Sequence, residues 1–128
     1  MPAAVAPKPV VHVMAAVMHD AEGRVLLAQR PEGKHLAGMW EFPGGKLDPG
    51  EAPLAGLARE LREELGVDLQ RAEPLIRIPC HYVDRELLLD TWHTDQWQGV
   101  PQSLECQALQ WLAPAQIDPA ILTPADRA

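Results

Sequence analysis

Positive charge is in short supply: 11 lysines and arginines face 18 aspartates and glutamates, a net charge of −7. That deficit argues against a non-specific nucleic-acid binder, which would carry a basic patch. Cysteine is scarce too. Cys80 and Cys106 could pair in principle, but neither sits in a metal-ligand spacing, and a cytoplasmic protein with reduced thiols is expected. The sequence has no secretory h-region and no apolar run near the roughly 18 residues of a membrane span. His12, His19, His81 and His93 form no i, i+4 pair or zinc-type spacing and read as surface or satisfied strand residues. Internal repeats and a low-complexity core segment are also missing.

What is present is an ordinary globular balance, 47% apolar and 23% charged over 128 residues, enough for one domain with its own core. Residues 1–9, rich in Pro and Ala, read as a loose tail. Val10 to Met18 is a near-continuous apolar run, as expected of a strand buried on both faces. Asp20-Ala21-Glu22-Gly23 reads as a turn into Arg24 to Arg30, the second strand of a hairpin. Glu41-Phe42 is a short strand, and Pro43-Gly44-Gly45 a turn that brings backbone close to a ligand. Further strands are expected over Leu75 to Val83, Glu86 to His93 and Gln107 to Leu112, with a short helix from Pro114 to Ile117.

Between Pro53 and Gly66 the pattern turns helical, with Pro in the first turn and Gly at the C-cap. Leu54, Leu57, Ala58, Leu61 and Leu65 form an apolar stripe at about 100° per residue. Glu60, Glu63 and Glu64 share another face, because residues three and four apart are neighbours on a helix. Like charges so close repel. A hard divalent cation, which takes oxygen ligands and works beside substrate phosphates, gives a reason to collect them.

The segment from Gly45 to Val67, GKLDPGEAPLAGLARELREELGV, resembles the Nudix box G-x5-E-x7-R-E-U-x-E-E-x-G-U, where U is aliphatic. It agrees at Gly45, Glu51, Arg59, Glu60, Leu61, Glu63, Glu64, Gly66 and Val67, which is every fixed position. Glu41 to Lys46, Leu26 to Arg30 and Trp97 to Trp111 resemble the flanking segments of the MutT group. Residues 10–128 are therefore read as a Nudix hydrolase domain of MutT type. The implied fold is α+β, a mixed sheet sandwiched between helices (α/β/α). The second long helix of such relatives usually follows Asp126, so the domain is expected to lack it here, leaving room for a fused domain beyond Ala128.

The resemblance implies a Mg²⁺-dependent enzyme, with Mn²⁺ as a substitute, that splits a nucleoside triphosphate into monophosphate and pyrophosphate. That is a nucleotide-pool role linked to DNA replication and repair. The implied metal ligands are Glu60, Glu63, Glu64, Glu105 from a late loop and the Gly44 carbonyl. Glu60 and Glu105 are candidate catalytic groups, with Arg59 and Glu51 as an orienting pair. Arg30 and His35 resemble residues on the phosphate and sugar side of the nucleotide, and Phe42 one that packs beside the base. Asp126 stands where guanine-reading members carry Asn. Ionised Asp only accepts hydrogen bonds whereas Asn also donates, so the base stays open between an 8-oxoguanine type and a pyrimidine such as CTP or methyl-dCTP. Trp92 reads better as a buried strand residue than as a cleft wall. The nucleotide is the expected partner, with no direct nucleic acid or membrane and a monomer or weak dimer. A non-catalytic base-recognition module is the alternative class, disfavoured by the intact acidic cluster.

Overall fold

A computed structural model describes residues 9–34, 36–105 and 108–122. Its one α-helix among the described residues packs on the first of two sheets, a mixed α+β arrangement. Strand β1 (Val10–Met18) has the bounds its apolar run predicts. It is central: the first sheet runs β4-β1-β6-β5, with β4 (Gly44–Lys46), β5 (Asp68–His81) and β6 (Glu86–Gln98). β1 is parallel to β6 and antiparallel to β4, and β5 is antiparallel to β6, which makes the sheet mixed. The second sheet runs β3-β2-β7, from β2 (Val25–Gln29), β3 (Trp40–Glu41) and β7 (Ala108–Leu112).

Two expectations need correction. The turn after β1 forms, with the Asp20 carboxylate accepting from the Glu22 and Arg24 amides, but β1 and β2 are not a hairpin. They meet only at a His19–Val25 bridge and then diverge into different sheets. A strand with two apolar faces and two occupied edges belongs at a sheet centre, and β1 takes β4 and β6 as neighbours. Pro43-Gly44-Gly45 is not a plain turn either. Gly44 and Gly45 open β4, opposite Ala15 and Met14. The close backbone approach is there, but its partner is β1: Gly44 has φ +152°, and a Cβ there would run into the Met14 carbonyl.

β5 and β6 are longer than expected, because β5 starts directly after the helix and its irregular register absorbs the extra residues. The connection still falls at Asp84-Arg85, where the Tyr82 amide donates to the Arg85 carbonyl at 2.9 Å. Residues Pro114–Gln116 form a single 3-10 turn. The proposed tail, bar Pro9, lies outside the described residues, as do His35, Cys106 and residues 123–128. Cys80 is a free thiol.

The core sits between the first sheet and helix α1 (Pro53–Leu65). Met14, Ala16 and Met18 point from β1 onto fully buried Leu57, Leu61 and Leu65, with Trp92, Trp97 and Trp111 partly buried around them. Each such leucine contributes roughly 1.5–3 kcal/mol by leaving water. Ala58 is half-buried, but Leu54, the first member of the predicted stripe, is 42% exposed. Trp97 and Trp111 stack at 6.1 Å and tie β6 to β7. The buried Asp90 is satisfied by Trp92 Nε1 and His12 Nε2, both at 2.9 Å, and by Arg77 Nε at 3.3 Å, linking β1, β5 and β6. His81 pairs with Glu86, and His19 and His93 meet edge to face. His12, His81 and His93 thus lie within strands, and His19 directly follows β1.

Candidate active site

Helix α1 is fixed at both ends, and that fixes its carboxylates. Pro53 occupies the first turn, and Gly66 at φ 70° donates its amide to the Arg62 carbonyl. Two loop amides then cover carbonyls of the last turn: Gln102 N–H reaches Leu65 O at 2.9 Å and Leu104 N–H reaches Glu64 O at 3.1 Å. These carbonyls are among the acceptors every helix end leaves open. The same bonds bring Glu105, the next residue, beside the helix.

Glu64 is the deepest of the acidic side chains, 7% exposed, and its Oε2 accepts the Gly44 amide at 3.1 Å. Burial pushes its carboxyl up to about 8, helped by the negative charges of Glu41, Glu60 and Glu105 and opposed by the Gly44 hydrogen bond. Burial also raises Glu60, against the pull of Arg59. Gly45 leaves the space that Glu60 fills, since a Cβ at Gly45 would overlap the Glu60 carboxylate. Gly56 does the same for the loop before the helix: a Cβ there would overlap Leu47 and press on Glu51. Gly56 was not singled out from sequence, where a glycine inside the helical pattern was the available signal, and it is buried on α1.

Arg59 organises the remaining charges. Its Nε donates to Glu51 Oε2 at 2.8 Å and its Nη2 to Glu51 Oε1 at 3.0 Å, a two-pronged grip. Nη1 lies 3.0 Å from Glu60 Oε1 and 3.1 Å from Glu63 Oε2. Nη2 also donates to the Lys46 carbonyl at 3.1 Å. Hydrogen bonds from Arg59, then from the Asp48 amide, hold Glu51 down to about 2. The Glu51 bonds raise Arg59 in turn. The expected Glu51–Arg59 pairing is therefore present, and it extends to Glu60 and Glu63.

A cavity of about 160 Å³ opens beside Glu64, walled by Arg30, Pro31, Lys34, Glu41, Gly44, Glu64 and Glu105. Predicted residues Arg30, Gly44, Glu64 and Glu105 thus meet around one space. Phe42 is elsewhere, in a neighbouring apolar recess of about 180 Å³ with Val17, Leu75, Ile76, Ile78, Leu89 and Thr91. His35 and Asp126 lie outside the described residues. Glu41 and Lys34 join the cavity without having been singled out from sequence. For Glu41 the signal is cross-strand: it pairs opposite Ala28, so Arg30, two residues on, is its diagonal neighbour. A larger recess of about 390 Å³, bounded by His19, Arg71, Glu73 and His93, has no α1 carboxylate in its wall and lies away from this chemistry.

The donor set suits a hard cation. A carboxyl whose protonated form is favoured by burial can exchange that proton for a cation, and its neighbours offer more oxygens. Among the described residues no three carboxylates are already gathered into a cage. Glu60 and Glu63 instead rest on Arg59.

The NUDIX domain model matches residues 8–128. The chain belongs to the NUDIX family. It is 40% identical over 116 residues to the CTP pyrophosphohydrolase of Escherichia coli K12, covering 91% of this chain and 85% of that protein. It is 34% identical over 119 residues to the 8-oxo-dGTP diphosphatase of Haemophilus influenzae, covering 93% and 88% respectively. Its fold superposes on the MutT NUDIX hydrolase of Burkholderia pseudomallei with a TM-score of 0.80 and 30% identity, over 96% of this chain and 95% of that one. The MutT-type resemblance is thereby upheld, and the chain is a NUDIX pyrophosphohydrolase. NUDIX hydrolases act on nucleotides and generally use divalent cations. No helix among the described residues is long and apolar enough to cross a membrane.

Proposed function

We propose that this NUDIX hydrolase attacks a nucleoside triphosphate with water and releases the monophosphate and pyrophosphate, using Mg²⁺ or Mn²⁺. The observation that carries the proposal is Glu64, buried to 7% and fixed by the Gly44 amide, in one cavity wall with Glu105 and Arg30. Glu64, Glu60, Glu63, Glu105 and the Gly44 carbonyl would hold the cation. A cation there neutralises phosphate oxygens and acidifies water. Glu60 takes the proton of the attacking water, and Arg59, anchored by Glu51, orients Glu60. Arg30, in the lining of the same cavity, receives phosphate charge, with His35 on the sugar side. Phe42 packs beside the base and Asp126 reads its edge.

For the base we favour a pyrimidine over oxidised guanine. Two features support this: Asp126 in place of the Asn of guanine readers, and 40% identity to a protein named for CTP. A cytosine amino group is a donor that an ionised Asp can accept from. The setting is the cytoplasmic nucleotide pool, for a monomer or weak dimer built on residues 10–128.

The test is pyrophosphate release with Mg²⁺ from a panel of CTP, dCTP, methyl-dCTP and 8-oxo-dGTP, for wild type, Glu60→Gln and Glu64→Gln. A loss of about 10³-fold or more in kcat for both variants, with folding retained, is expected for groups this close to the developing charge. Equal activity in the variants would remove the metal assignment. A panel led by 8-oxo-dGTP would remove the pyrimidine reading. In the same panel, Asp126→Asn should reorder the substrates while leaving kcat on the best one within about threefold.

A further inference from the structure

Glu41 lines the same cavity wall as Glu64 and Glu105, and none of the roles above uses it. It is not simply another carboxylate of the cluster. Both its oxygens accept from Arg30 Nη1, at 3.0 and 3.3 Å, and each partner's side chain is little more than a quarter exposed. Backbone fixes the pair on both sides. Glu41 sits on β3 opposite Ala28 of β2, while the Arg30 amide donates to Met39 O at 2.8 Å and the Arg30 carbonyl accepts from Gly38 N–H at 3.0 Å.

Arg30 is thus a strong cation in a small space that also holds Glu64 and Glu105. A guanidinium presents a fork suited to any carboxylate within reach. Without Glu41, Glu64 and Glu105 are the other carboxylates of that cavity. An arginine bound to either would remove the negative charge a metal ion needs and would no longer face a phosphate. We propose that Glu41 is a positioning residue. It holds Arg30 in place in the cavity lining, so that Glu64 and Glu105 stay available to the cation and Arg30 faces phosphate. This rests on the metal-dependent reading above.

A double-mutant cycle on Mn²⁺ binding, followed by calorimetry and by the paramagnetic resonance of free Mn²⁺ in the absence of nucleotide, separates the roles. Glu41→Gln should weaken Mn²⁺ binding about tenfold and raise the nucleotide KM more than it lowers kcat. Arg30→Ala should bind Mn²⁺ at least as well as wild type, because a competing cation is gone. Adding Glu41→Gln to Arg30→Ala should then change Mn²⁺ affinity less than twofold. Equal weakening by Glu41→Gln in both backgrounds would make Glu41 a direct ligand and overturn the positioning role. Normal Mn²⁺ affinity in the single Glu41→Gln variant would also overturn it while leaving the metal site intact. If wild type binds no Mn²⁺, both this inference and the reading beneath it fall. Should Glu41→Gln fail to fold, Glu41→Ala carries the same expectations, with thermal unfolding confirming the native state.

Discussion

The Gly44 amide donates to Glu64 Oε2 at 3.1 Å, so a strand end and a helix share one buried carboxylate. Gly44 is pressed so closely on β1 that its missing side chain is a requirement. The strand thus places both the amide that grips Glu64 and the carbonyl assigned to the cation.

Gly44→Ala should be among the most damaging single changes. Its Cβ meets the Met14 backbone, which cannot swing aside, at a φ that L residues avoid. A loss of about 3 kcal/mol or more is expected in urea unfolding. Gly45→Ala meets only the Glu60 carboxylate, a movable side-chain end. It should cost about 1 kcal/mol in stability but reduce kcat at least tenfold by displacing Glu60.

Glu64 predicts how metal-free stability varies with pH. Its carboxyl is raised from 4.5 to about 8 in the fold. The folded state therefore holds a proton that the unfolded chain has released. Stability from this group is complete below the unfolded value and is lost as pH rises through the folded one. Metal-free thermal unfolding should accordingly shift downward between about pH 4.5 and 8, with a slope no steeper than about 1.4 kcal/mol per pH unit. Glu64→Gln should flatten that dependence. Adding Mn²⁺ to wild type should do so as well, because ligation favours the ionised form.

Arg59 holds Glu51 with two prongs and touches Glu60 and Glu63. A lysine has one charged tip and cannot reproduce that fork. Arg59→Lys should lower kcat by roughly 10²-fold through misplacement of Glu60, with nucleotide KM changed less than threefold. Steady-state kinetics on the best substrate checks this. A change in KM alone would move Arg59 from orientation to substrate binding.

The core makes a sharper contrast. Leu61 is fully buried against Met14 and Met18, while Leu54, on the same predicted stripe, is 42% exposed. Leu61→Ala should cost about 2–5 kcal/mol, and Leu54→Ala should stay within about 0.5 kcal/mol. Chemical denaturation of the two variants side by side measures both.

Local patterns were readable where one element decides them. The bounds of β1, the helix from Pro53 to Gly66, the buried face of Leu57, Leu61 and Leu65, and the Glu51–Arg59 pair all follow from spacing or from the box. What failed depends on pairing between distant segments. The turn at Asp20 is visible in sequence, but whether the strands around it pair depends on β4 and β6 competing for the edges of β1. Glu41 was overlooked for the same reason: only the β2–β3 register shows that it faces Arg30. Leu54 fits the helical period, yet it sits in the first turn of α1 and stays exposed.

Because the Gln102 and Leu104 amides terminate α1, the segment carrying Glu105 behaves mechanically as an extension of the helix. Swinging that side of the cleft outward would fray the last helical turn and unseat Glu64 along with it.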